Sequence, residues 1–161
     1  LVGSEMCIRD RFIQLGFMKI LILCTGNSCR SQMAHGFLQS FCPDIEVFSA
    51  GIKPTDRVNQ MAIEVMKEAG IDISGHEPHN VSEYLDASWD YVITVCGGAK
   101  ENCPAFSGMV KHRRHFGFDD PSTADLLDLQ QTMGEFRRVR DEIKARFYSF
   151  YLTGLCGKEC S

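Results

Sequence analysis

At 161 residues and 18.1 kDa the chain suits one globular domain, a size at which roughly 70% of the unfolded surface is buried. Hydrophobic residues at 44% and charged residues at 24% exclude the disordered and membrane-embedded classes. A net charge of −4, with no basic block longer than Lys111-His112-Arg113-Arg114-His115, gives no nucleic-acid footprint.

Residues 1–17 do not begin with Met and lack a clean strand or helix period, so they read as a leader outside the fold, with residues 18–152 as the single domain and 153–161 as a loose tail. No secretory signal pattern accompanies the eight cysteines, which therefore read as thiols of a cytoplasmic protein. The apolar run 18–24 is far short of the ~20 residues a membrane helix needs.

That run predicts a buried parallel strand ending in the turn Thr25-Gly26-Asn27. Helical spacing of Met33, Ala34, Phe37, Leu38 and Phe41 follows, stopped at Pro43. A second strand is expected over 45–50, then an amphipathic helix over 58–69 ended by Gly70. A short helix over 81–85 precedes a third strand over 90–96, which enters the turn Gly97-Gly98 and a loop carrying Cys103-Pro104. Residues 110–116 read as a fourth strand, and Asp119-Asp120-Pro121 opens a helical region. Phe136, Val139, Ile143, Phe147 and Phe150 define one face of a closing helix over 134–151.

Strands alternating with helices imply an α/β fold, a parallel sheet covered on both faces, with ligands bound beyond the carboxyl ends of the strands. Cys24, Cys96 and Asp119 all fall at that edge.

The sharpest signal is Cys24-Thr25-Gly26-Asn27-Ser28-Cys29-Arg30-Ser31 between a strand and a helix. Such a loop can aim several N–H groups at one point, the helix N-terminus adds favourable potential for an anion, and Arg30 can clamp two oxygens with its fork. The same surroundings should depress the Cys24 pKa and make its thiolate the nucleophile, with Ser31 in support and Gly26 permitting close approach. Thr25, Gly26, Asn27, Ser28, Cys29, Arg30 and Ser31 are thus the expected substrate-binding residues, and Cys29 is read as a structural thiol.

From about Met18 to Tyr151 the chain resembles the low-molecular-weight tyrosine phosphatase superfamily, and more closely its thioredoxin-coupled arsenate reductase branch. The resemblance rests on the loop continued through Gln32-Met33-Ala34, which looks almost unaltered from that branch. It implies a three-layer sandwich around a four-stranded parallel sheet. It also matches Asp119-Asp120-Pro121 to a mobile acid segment, with Asp119 as the acid that protonates a leaving oxygen and Asp120 as second candidate or helix cap. A carboxyl beside a bound oxyanion should have a raised pKa.

What separates a reductase from a phosphatase is the pair Cys96 and Cys103, with six residues between them in a glycine-bearing loop. Reduction must deposit two oxidising equivalents, and thiols attacking a thiol-bound arsenic centre can take them as a disulfide. The implied relay runs from Cys24 to Cys96 to Cys103, ending in a Cys96–Cys103 disulfide that thioredoxin recycles. A zinc site from these cysteines with His112 and His115 fits structural-zinc spacing poorly. In some relatives a potassium ion sits behind the loop; Asn27 and Ser49 match its ligands, but His35 and His79 replace acidic positions, so no tightly bound metal or cofactor is expected.

The expected function is therefore reduction of arsenate by a monomer, without nucleic-acid or membrane partners. A phosphotyrosine phosphatase acting through a Cys24 phosphocysteine is the alternative, although Ser122 follows Pro121 where phosphatases of this fold carry an aromatic. A noncatalytic redox sensor or oxyanion-binding protein is a third reading. Cys156 and Cys160 read as accessory, Cys42 as a packing residue.

Overall fold

A computed structural model describes residues 18–126 and 128–156. The expected leader 1–17 and the end of the tail, 157–161, lie outside the described residues.

Strand β1 (Lys19–Cys24) pairs in parallel with β2 (Glu46–Gly51) on one side and β3 (Trp89–Thr94) on the other, and β4 (Val110–His115) extends the sheet beyond β3. The order β2-β1-β3-β4 makes a four-stranded parallel sheet with β1 and β3 central. Central position explains composition: Ile20, Leu21, Ile22 and Leu23 are fully buried, whereas edge strand β4 carries the basic run and is largely exposed. This is the α/β three-layer arrangement expected from the sequence.

Helix α1 (Arg30–Phe41) buries Met33, Ala34, Phe37 and Leu38. Helix α2 (Gln60–Glu68) starts two residues later than its apolar period suggests, because the Asn59 side chain caps it by accepting from the Met61 and Ala62 N–H groups. The long helix α4 (Leu129–Phe150) starts five residues earlier than its hydrophobic face, since Asp128 and Gln131 form a capping box. Its inward residues are Phe136, Val139, Ile143, Phe147 and Phe150, as the pattern requires.

Two expectations need correction. Residues 97–102 form a short helix, α3 (Gly97–Asn102), where two glycines suggested a loop; the Cys96 sulfur caps it by accepting the Ala99 N–H at 3.4 Å. The chain after Thr153 is not loose as far as it is described: Tyr151–Cys156 continues α4 as a π-helical turn and Leu155 is buried. Among the described residues no helix is long and apolar enough to cross a membrane.

Candidate active site

Cys24 ends β1, and the next five residues wrap back to the first turn of α1. The segment after β2 holds this loop from outside. Ile52 N donates to Cys24 O (3.2 Å), Lys53 N to Thr25 O (2.9 Å), Thr55 N to Gly26 O (2.9 Å) and Asn59 N to Ser28 O (2.9 Å). With most of its carbonyls engaged from outside, the loop leaves its N–H groups available to an anion, and the Thr25 N–H stabilises the Cys24 sulfur. The close approach requires glycine at the end of β2: a Cβ on Gly51 would stand 2.6 Å from Thr25 O.

Asn27 sits at the tightest point of the curve with φ +52° and is fully buried. Its side chain donates to Ser31 Oγ (2.8 Å) and accepts the His79 N–H (2.9 Å), which holds a conformation that L residues seldom adopt. Ser31 thus acts by fixing Asn27.

Arg30 projects across the mouth of the loop, where one terminal nitrogen donates to Phe118 O (3.1 Å) and the other meets Asp120 Oδ2 (3.1 Å). Its Nε is buried and, among the described residues, without a hydrogen-bond partner. A buried cationic N–H left unpaired is costly, and an oxyanion bound in the loop would supply its acceptor.

The structure separates the two neighbouring aspartates. Asp119 turns outward, its side chain 77% exposed and paired with Arg138 of α4 at 3.2 Å. Asp120 points inward to Arg30, with its other oxygen accepting from the Ser122 N–H (3.0 Å) and hydroxyl (2.7 Å). The carboxyl that meets Arg30 is therefore that of Asp120, while Asp119, the expected acid, faces away from it. Proline at 121 restricts the residue before it to extended backbone, which sends adjacent side chains to opposite sides.

Cys96 arrives from β3 directly beside Cys24. The Cys96 sulfur takes the Ala99 N–H and lies 3.3 Å from the Thr25 hydroxyl, and it is near enough to Cys24 that each thiol shifts the pKa of the other. The expected depression of the Cys24 pKa is not found beside Cys96: the interaction with Cys96, and after it burial, push Cys24 up against the pull of Arg30. The same interaction, with help from Thr25, Ala99 N–H and Arg30, holds Cys96 down to about 5. The two thiols titrate as a pair. Absorbance at 240 nm should therefore show one thiolate appearing as pH rises through about 5, absent from Cys96→Ser.

Cys103 caps the far end of α3, its thiol donating weakly to Pro104 O (3.6 Å), and burial raises its pKa. Cys29 is buried, and burial pushes it up to about 11, so it is no nucleophile near neutrality. His35, Ser49, His76 and His79 line one cavity of about 220 Å³ behind the loop. Among the described residues no three His, Cys, Asp or Glu side chains are arranged to hold a metal.

Residues 19–157 match the low molecular weight phosphotyrosine protein phosphatase family. The chain belongs to that family. It is 46% identical over 136 residues to an arsenate reductase of Halalkalibacterium halodurans, covering 84% of this chain and 96% of that one. An arsenate reductase of Staphylococcus aureus is 46% identical over 132 residues, covering 81% and 94%. Among solved structures, an arsenate reductase in the phosphate-binding state superposes with a TM-score of 0.71 at 31% identity, covering 85% of this chain and 98% of that one. Sequence reasoning placed Cys24, Arg30 and Cys96 at this site; it missed the inward turn of Asp120, whose position next to Pro121 was the available signal.

Proposed function

We propose that this protein is an arsenate reductase of the cytoplasm, working as a monomer. The observation that carries the reading is the proximity of the Cys24 and Cys96 thiols, each of which shifts the other's pKa. A phosphatase of this fold needs one thiol at the loop; a second in contact with it gives the oxidising equivalents somewhere to go.

The cycle balances as arsenate plus two thiols giving arsenite, one disulfide and water. Arsenate enters the loop with its oxygens on the inward N–H groups and on Arg30 Nε. Cys24 passes its proton to Cys96 and attacks arsenic, while Asp120, once protonated, gives a proton to the departing hydroxyl, which leaves as water. Cys96 loses its proton and attacks the Cys24 sulfur. The sulfur–arsenic bond breaks, its electron pair stays on arsenic, and arsenite departs from a Cys24–Cys96 disulfide.

Cys103 then attacks the Cys96 sulfur and releases Cys24 as thiolate. The two caps of α3 stand seven residues apart, about 10 Å along a helix, whereas a disulfide needs Cα atoms within about 7 Å. Forming this bridge therefore requires α3 to unwind, and Gly97 and Gly98 each weaken the helix by about 1 kcal/mol relative to Ala. Unwinding presents the disulfide to thioredoxin, the proposed reductant.

The test is thioredoxin-dependent NADPH consumption, with thioredoxin reductase, on addition of arsenate. Sustained native turnover lost in Cys24→Ser, Cys96→Ser and Cys103→Ser supports the relay. Hydrolysis of an aryl phosphate by Cys24 with no arsenate turnover would make the chain a phosphatase instead. In the same assay Asp120→Asn should lower kcat by about 10² or more, the usual contribution of a general acid. Asp119→Asn, which removes only an exposed ion pair, should change it by less than about threefold.

A further inference from the structure

Three hydrogen bonds converge on one buried amide in the third residue of α1. Gln32, 1% exposed, donates from Nε2 to Asn27 O at 3.1 Å and to Glu77 O at 3.2 Å. Both neighbours are carbonyls that only accept, so the nitrogen of the amide must face them and its oxygen must face the other way. That oxygen lies 3.0 Å from His76 Nδ1. An amide oxygen cannot donate, so His76 carries its proton on Nδ1. Burial lowers the His76 pKa, and burial, with the neighbouring His76 and His79, holds His35 down to about 3. Near neutrality both rings are uncharged, which lets them lie 4.6 Å apart while His35 Nδ1 meets Ser49 Oγ at 3.1 Å.

From this geometry we propose that Gln32 and His76 are positioning residues for the anion-binding loop, acting on it through the main chain of Asn27. Asn27 is the one non-glycine residue with positive φ among the described residues; the segment 52–59 engages neither its carbonyl nor that of Cys29, and Cys29 O is taken by the Met33 N–H. Gln32 supplies the bond to Asn27 O. His76 supplies the acceptor-matched donor that keeps the Gln32 amide from turning over, and the second Gln32 N–H ties the loop to Glu77, two residues before the His79 N–H that Asn27 accepts. Without His76 the amide oxygen is left unpaired in the cavity, a loss that favours its rotation away from Asn27. The loop then relaxes from the left-handed Asn27 conformation and its N–H groups no longer converge. Neither side chain touches the reacting atoms.

The inference rests on the loop being an oxyanion site, and the test reads that property without requiring reduction. Inorganic phosphate binding is measured by titration calorimetry on the full chain, native and variant, with circular dichroism checking that each variant is folded. His76→Phe keeps an aromatic ring but loses the donor; Gln32→Met keeps the length but loses all three bonds. Each should weaken phosphate binding about tenfold, the upper range for a buried hydrogen bond, and raise the arsenate KM by a similar factor while kcat changes less than about threefold. His76→Asn, whose amide N–H can reach the position of Nδ1–H, should restore phosphate binding to within about threefold of native. Folded His76→Phe binding phosphate within twofold of native overturns the proposal, as does His76→Asn as impaired as His76→Phe. Tight native phosphate binding without arsenate turnover would count against the proposed reductase activity and leave this inference standing on the calorimetry.

Discussion

Cys24→Ser should lower thioredoxin-dependent arsenate turnover by more than about 10⁴-fold while the protein still folds and binds phosphate, because a covalent nucleophile has no substitute within its site. Cys24 is 3% exposed at the end of a central strand, and a hydroxyl of similar size fits the same space. The anion is held by groups the substitution leaves in place: the inward N–H groups, the unpartnered Nε of Arg30 and the α1 terminus. Steady-state kinetics and phosphate calorimetry on one preparation check both halves. Loss of phosphate binding alongside activity would mean that Cys24 shapes the loop, not that it attacks.

Cys96→Ser should abolish arsenite formation yet retain hydrolysis of an aryl phosphate to within about tenfold, since the second thiol serves the redox step and not the first attack. The variant also inverts the acid–base balance of the site. Cys96 is the largest cause of the raised Cys24 pKa, and once its thiol is removed Arg30 and the Thr25 N–H act against burial. The folded-state pKa of Cys24 should fall, so iodoacetamide should label it faster near neutrality in Cys96→Ser than in the native protein. Slower labelling would show that Cys96 helps to ionise Cys24 and does not compete with it for the charge.

Much of this site was legible because its parts are local. A Cys, a Gly, an Arg and a Ser at fixed offsets between an apolar run and a helical period can be read along a dozen residues, and the structure puts Cys24 and Arg30 where that spacing implies. The strands were equally plain, β1 and β3 being continuous apolar runs that only a doubly covered sheet requires. What failed depended on contacts distant in sequence. The Cys24 pKa is raised chiefly by Cys96, 72 residues on, which a pattern within the loop does not contain. Helix α3 exists against the preference of its glycines because the Cys96 sulfur caps it. The Cβ of any other residue at 98 would meet the Thr25 hydroxyl at 2.7 Å, so Gly98 is there for the approach of α3 to the loop as much as for flexibility. Asp119 and Asp120 are alike in sequence and differ only in which faces Arg30 and which faces Arg138. Gln32 and His76 lie 44 residues apart, and neither belongs to a periodic pattern that would single it out.

In the proposed relay two electrons leave the Cys24 site as a disulfide ending on Cys96 and Cys103. It is tested most directly by mixing the fully reduced protein with one equivalent of arsenate, without reductant, then alkylating, digesting and mapping the disulfides by mass spectrometry as arsenite is counted. One arsenite per chain together with a Cys96–Cys103 bridge is the expected result, and in Cys103→Ser the bridge should stop at Cys24–Cys96. Arsenite formed with Cys96 and Cys103 both still alkylatable, or no arsenite at all from a chain that binds phosphate, would contradict the relay.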